Sequence, residues 1–248
     1  MSASPEYTKI AEDTVRAYLA AERAATQLAE CMSGTSHLGV RAVQEAEREL
    51  DRIDREIDSL ITPAIVQADS TQARELLSSL KMVIDLERVA DLFASVAGCV
   101  RPLGSRISVE DLGDLVKMAS VIEKMLADAY GAFAVRNINR AVAVLRTDAE
   151  VDRLRNVILL RHLEQATTSS IQVGVQVLFM AQSLERAGDH VKNLAEEICH
   201  LVTGQTHRHV QQAAPAAQEQ IPLEYADNAR GKAASAAAAP APLVRGES

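Results

Sequence analysis

Apolar residues recur through residues 4–204 at three- and four-residue intervals, the period of helices that bury one face. In the last such stretch Ala181, Leu184, Gly188, Val191, Ala195, Ile198 and Val202 form one stripe. Glu185, Asp189, Asn193 and Glu196 form a second, roughly 130° round the helix at 100° per residue. The acids are therefore expected to face a groove or the surface rather than the core.

Proline and glycine divide the pattern into six predicted helices. Ser4-Pro5 reads as an N-cap followed by proline at the first helical position, opening a helix that reaches Met32. Ser33-Gly34-Thr35-Ser36 breaks it. A second helix is expected over 38–61, stopping at Thr62-Pro63, and a third from Thr71 to just before Pro102. After a linker, Arg101–Ser108, three more follow at 109–135, 138–165 and 168–203, ending at Gly204.

The two halves repeat one another. Leu86-Glu87-Arg88-Val89-Ala90-Asp91 matches Leu184-Glu185-Arg186-Ala187-Gly188-Asp189 at an offset of 98, with Leu80 meeting Leu178 and Met82 meeting Met180. Glu47-x-x-Leu50-Asp51-Arg52-Ile53 matches Asp148-x-x-Val151-Asp152-Arg153-Leu154 at an offset of 101. The expected organisation is all-α: two tandem three-helix bundles, residues 4–103 and 107–204. Residues 211–248 hold 13 Ala and four of the seven prolines without an apolar stripe, so 205–248 reads as a disordered tail.

Composition narrows the function. The net charge is −8, and the tail's four basic and four acidic residues cancel, so the excess lies in residues 1–204. That balance argues against a nucleic-acid or anionic-lipid partner, which calls for a basic surface. No apolar run approaches the ~18 residues of a membrane span, and no basic-apolar leader opens the chain, so a cytosolic protein is expected. Cys31, Cys99 and Cys199 are odd in number and far apart, imply no disulfide framework, and read as small buried residues.

The candidate chemistry is a spacing that occurs four times: an acid, three residues, then Asp. The pairs are Glu47/Asp51, Glu87/Asp91, Asp148/Asp152 and Glu185/Asp189. Positions i and i+4 neighbour each other on a helix, so each pair shares a face and repels by a few tenths of a kcal/mol unless a cation sits between them. In each half one pair falls on the second helix and one on the third, antiparallel neighbours that bring four carboxylates together. Such hard oxygen donors suit magnesium, manganese, calcium or iron better than zinc. The bland alternative is a solvated face, with Arg88 and Arg186 pairing with neighbouring acids. Glu197-x-x-His200 has di-iron spacing but occurs once, and Cys199, His200, His207 and His209 match no zinc finger. Met82, Met180 and Phe179 read as core filling. No nucleophile–base arrangement or phosphate loop stands out.

Leu184-Glu185-Arg186-Ala187-Gly188-Asp189-His190, continuing through Asn193-Leu194-Ala195-Glu196-Glu197 to Leu201-Val202-Thr203-Gly204, resembles the second signature helix of the PhoU family of phosphate-uptake regulators. Asp85-Leu86-Glu87-Arg88-Val89-Ala90-Asp91 resembles the first. The resemblance covers about residues 8–210 and implies paired three-helix bundles with metal on their outer surfaces. The ligands it implies are Glu47, Asp51, Glu87, Asp91, Asp148, Asp152, Glu185 and Asp189, and the metal is iron, manganese, magnesium or zinc.

It also implies a non-enzymatic, cytoplasmic regulator, a homodimer, that binds a phosphate ABC transporter's ATPase subunit and a phosphate sensor histidine kinase. Where the second signature has Gly188, Asn193 and Glu196, the first has Ala90, Ser95 and Gly98. The first half thus offers fewer oxygen ligands and is the weaker expected metal site. The competing readings are a metal-dependent helical-bundle enzyme, an oxidase or phosphohydrolase, and a helical adaptor unrelated to phosphate.

Overall fold

A computed structural model describes residues 4–34, 39–164 and 171–203. Six long α-helices and one short 3-10 turn account for nearly all of them, with no strand among the described residues. Helix α1 (Pro5–Met32) is capped by the Ser4 hydroxyl, which accepts from the Tyr7 N–H at 3.2 Å. Helix α2 (Gly39–Gln67) runs straight through Pro63, where the sequence predicts a stop. Proline removes one main-chain bond and crowds the carbonyl a turn earlier. Here the exposed ring lies within a turn of the helix end, and continuing the helix carries Ala64 into the core at 2% exposure.

Helix α3 (Ser70–Leu103) opens on a capping box: Asp69 accepts from the Thr71 and Gln72 N–H groups at 2.9 Å each, and the Gln72 side chain accepts from the Asp69 N–H at 3.2 Å. It likewise takes in Pro102 before Gly104, at φ 49°, ends it. Helix α4 (Val109–Ala134) is capped by Ser108, and α5 (Ile138–Glu164) and α6 (Ile171–Thr203) complete the set.

Within each repeat every helix touches the other two: α1, α2 and α3 form one bundle and α4, α5 and α6 the other. The repeats join through α1 on α4 and α3 on α6, which leaves α2 and α5 on the flanks. The α1 side of this core is Ala17, Ala20, Ala21, Ala24 and Ala25, all fully buried. Small residues let helices approach closely, so a chain with only three Phe and four Tyr still makes a dry interior. Tyr18 supplies the largest buried ring there, 5.7 Å from the Tyr130 ring and 5.4 Å from that of Phe133.

The repeat alignment read from sequence holds in the core: Leu50 and Ile53 are buried in α2 as Val151 and Leu154 are in α5. On α6 the buried face is wider than the predicted stripe, taking in Val177, Met180, Ala187 and Leu194, whereas Val202 is exposed. Met82 and Met180 fill core as expected, but Phe179 is 51% exposed on the outer side of α6. Cys199 is buried, whereas Cys31 and Cys99 are only half-buried at bundle edges. No helix among the described residues is long and apolar enough to cross a membrane. The expected tail 205–248, the break at Thr35-Ser36, the ends expected at 165, 168 and Gly204, and His207 and His209 lie outside the described residues.

Candidate functional site

The carboxylate pairs sit where α2 packs on α3 and where α5 packs on α6. In the first repeat the two helices bring the acids within electrostatic reach of one another. Burial, with Asp91 and Asp51 nearby, holds Glu47 above the usual carboxylate range. Glu87 is raised by burial and then by Asp91, with Asp54 and Asp51 adding to the effect against Arg88. Asp54, which the four-residue spacing leaves out, joins the cluster one turn after Asp51, and burial with Asp58 and Asp51 raises it too. The cations here stand at the edge: Arg55 meets Asp51 at 2.9 Å, and the exposed Arg88 reaches Glu87 at 3.5 Å and Asp91 at 3.4 Å.

The second repeat assembles the matching four, with its own cations inside the set. Lys192 donates to Asp148 at 2.7 Å, over a carboxylate that is only 4% exposed. Arg155 donates to Glu185 at 3.3 Å, and Gln182 to the same carboxylate at 2.5 Å. Burial raises Asp152, helped by Asp148 and Asp189 and opposed by Lys192 and Arg155. Burial and Asp189 raise Glu185 against the pull of Arg155. Burial works against charge on Lys192, but the Asp148 bond and the charges of Asp148, Asp189 and Asp152 outweigh it and raise its pKa. Lys192 and Arg155 are the residues of this cluster that reading the acids alone passes over.

The site residues predicted from sequence thus fall into two groups of four, one per repeat, as the spacing and repeat require. Among the described residues no three acidic, histidine or cysteine side chains are arranged to ligate one ion. The donor chemistry nevertheless suits a hard cation, most of all in the first repeat. There Glu47, Asp51, Asp54, Glu87 and Asp91 crowd together with only edge arginines against them.

Three neighbouring residues that the sequence singles out are placed as follows. Asn193, an expected oxygen donor, turns to α3 and donates to Asp85 at 3.4 Å, beside His190 Nδ1 at 2.7 Å from the same carboxylate. Glu197 is taken up by Ser78 at 2.6 Å and Lys81 at 3.1 Å, so it ties α6 to α3 and completes no Glu-x-x-His metal set. Arg186 is exposed and, unlike its repeat mate Arg88, forms no ion pair with a described acid.

Comparison with known proteins agrees with this architecture. The family model for the PhoU domain matches residues 10–100 and 115–198, one span in each bundle, and the chain belongs to that family. A relative from Thermotoga maritima, phosphate-specific transport system accessory protein PhoU homolog 1, is 26% identical over 204 residues, covering 80% of this chain and 88% of its own. The crystal structure of PhoU from Pseudomonas aeruginosa superposes with a TM-score of 0.73 at 24% identity, over 81% of this chain and 98% of that one. The phosphate transport system regulatory protein PhoU from Streptococcus pneumoniae gives 0.71 at 20% identity, over 81% and 97%.

Proposed function

We propose that this chain is a regulatory accessory protein of phosphate uptake. It acts in the cytosol, as a dimer, by binding the ATPase subunit of a phosphate ABC transporter and a phosphate-responsive sensor histidine kinase, and it restrains both when phosphate is plentiful. The observation that carries this reading is the duplicated PhoU domain, matched in both bundles and shared with relatives named as phosphate-transport accessory proteins. The role asks for no catalysis. The carboxylates sit along the α2–α3 and α5–α6 seams, and most are partly open to solvent, which favours a binding surface over an oxidase or hydrolase centre.

Metal belongs to the proposal as a structural element of that surface. Glu47, Asp51, Glu87 and Asp91 would hold it in the first repeat, with Asp54 added to them. Asp148, Asp152, Glu185 and Asp189 would hold it in the second. A bound cation supplies positive charge that cross-links neighbouring helices. Manganese, magnesium or iron fits this donor set better than zinc. Because Lys192 and Arg155 already occupy the second cluster, the first is the stronger site, the reverse of the order expected from counting ligands.

Deletion of the gene tests the role. Phosphate uptake and a starvation-responsive reporter are expected to stay high in phosphate-rich medium, and normal repression of both would refute the reading. Elemental analysis of purified protein beside a Glu87→Ala/Asp91→Ala variant tests the metal. Stoichiometric manganese or iron that falls in the variant is the expected result, and equal metal in both would remove those ligands.

A further inference from the structure

The signature arginines have a place of their own in the fold. Antiparallel packing of α3 on α6 brings Arg88 and Arg186, repeat mates at an offset of 98, to the same open groove of about 690 Å³ between the two bundles. Arg48 enters from α2 and His190 from α6, while Glu47 and Asp91 of the first acidic cluster also line the groove. Three guanidiniums, one imidazole and two carboxylates line the groove, with Glu87 against Arg88 and Asp85 against His190. Cations from both repeats therefore meet on a surface that is otherwise acidic.

The state of these cations points to a ligand. Arg48 and Arg186 are exposed, and neither comes within ion-pair distance of a described acid, although the charge of Arg48 is felt by neighbouring Glu47. They stand on different repeats. Arg88 is held only loosely, at 3.4–3.5 Å from its acids. His190 is oriented by its Nδ1 contact with Asp85 at 2.7 Å, which Asn193 also holds, and Nε2 is left as the second polar atom of a ring lining the groove. Guanidinium forks bind the oxygens of a tetrahedral dianion in pairs, and several around one groove add selectivity for charge and shape. The second repeat cannot form this set on its own cluster, because the mate of Arg48 is Ala149 and the mate of Leu92 is His190.

We propose that this groove binds a small tetrahedral oxyanion of the inorganic phosphate class, clamped between Arg48 and Arg88 of the first repeat and Arg186 and His190 of the second. The ligand bridges the bundles, so its occupancy changes how firmly α6 is held against α3. The biological meaning rests on the regulatory reading above, but the binding itself does not. Glu47 and Asp91 work against the anion while they carry unscreened charge.

The test is equilibrium dialysis of the full chain against radiolabelled inorganic phosphate in chelator-treated buffer. Saturable binding of one phosphate is expected at about 0.1–1 mM, a modest affinity suited to an open groove. Arg48→Gln/Arg186→Gln is expected to weaken it at least tenfold with unchanged helicity. Arg146→Gln/Arg153→Gln, the same charge loss on exposed α5 positions outside the groove, is expected to leave it within twofold. Glu47→Gln/Asp91→Asn is expected to tighten it severalfold. Absent saturable binding, equal loss in the α5 control, or no loss in the groove variant would each overturn the proposal. The two readings fail separately. Phosphate binding without derepression in the deletion strain would sink the regulatory role alone, and derepression without phosphate binding would sink this site alone.

Discussion

The two acidic clusters are built from matching helices and matching spacings, yet their counter-ions are placed differently. Position 54 of the first repeat, an acid that adds to the crowd, corresponds at an offset of 101 to Arg155, which pairs with Glu185. Ala94 corresponds at an offset of 98 to Lys192, which pairs with Asp148. Glu47 is half-buried where its mate Asp148 is only 4% exposed under that lysine. The second repeat thus carries counter-ions within its set, and the first keeps Arg55 and Arg88 at its edge. Two substitutions at flanking positions, Asp54 against Arg155 and Ala94 against Lys192, make this difference.

The sharpest way to break this comparison is to remove the internal cation. Lys192→Ala leaves the buried Asp148 carboxylate unpaired, and the chelated protein is expected to lose about 2 kcal/mol. That is below the range for a fully buried pair, because Lys192 is itself 30% exposed. Excess manganese is expected to recover part of the loss. In the first repeat the matching intervention has the other sign: Asp54→Asn relieves repulsion and is expected to stabilise the chelated protein by about 0.5 kcal/mol. Urea unfolding of the two variants, with and without manganese, measures both. Equal destabilisation would mean that the clusters are balanced alike.

A smaller effect is expected in metal affinity. Asp54→Asn should weaken manganese binding to stripped protein about tenfold, a loss of about 1.4 kcal/mol. Arg155→Asp should create a second class of sites of comparable strength in α5 and α6. Calorimetric titration separates the two classes by stoichiometry. If Arg155→Asp adds no site, internal neutralisation is not what distinguishes the repeats.

Much of this could be read from the chain, and the exceptions share a cause. Helical periodicity located six helices because each buries a continuous face, and the offsets located the repeat because Leu50 with Val151 and Leu86 with Leu184 occupy like core positions. Pro63 misleads because a local rule does not include the burial of Ala64 one residue on. Phe179 misleads because an aromatic residue between core positions need not point inward. Asp54 was legible in principle, since it lies three residues from Asp51 and seven from Glu47 on one face, but a search for a single spacing excludes it. The pairing of Lys192 with Asp148, and the meeting of Arg48, Arg88 and Arg186, depend on which helices pack together, and no spacing along one helix carries that. One more repeat signal was available: Glu12-Asp13 and Glu110-Asp111 also lie 98 apart, and Asp13 and Asp111 are 0% and 4% exposed.

That last pair extends the comparison to the first helix of each repeat. Asp13 finds its cations on its own helix, Lys9 at 2.7 Å and Arg16 at 2.6 Å. Its mate Asp111 is reached from α5 by Arg161 at 2.5 Å and His162 at 3.1 Å, and Arg161 also holds Asp114 at 2.5 Å. Only in the second repeat, then, does this acid tie two helices together. Burial alone would raise Asp114, but the bonds and charges of Arg161 and Lys117 outweigh it and hold the carboxyl below its ordinary 3.8. A depressed folded-state pKa contributes stability that is complete above the unfolded value and is lost as pH falls through the folded one. Asp114→Asn is therefore expected to cost about 1 kcal/mol at neutral pH, with the gap to the unmodified protein shrinking below about pH 4. Thermal melts from pH 7 to pH 2.5 measure that gap, and one that stayed constant across the series would show that Asp114 acts through packing rather than through its charge on Arg161.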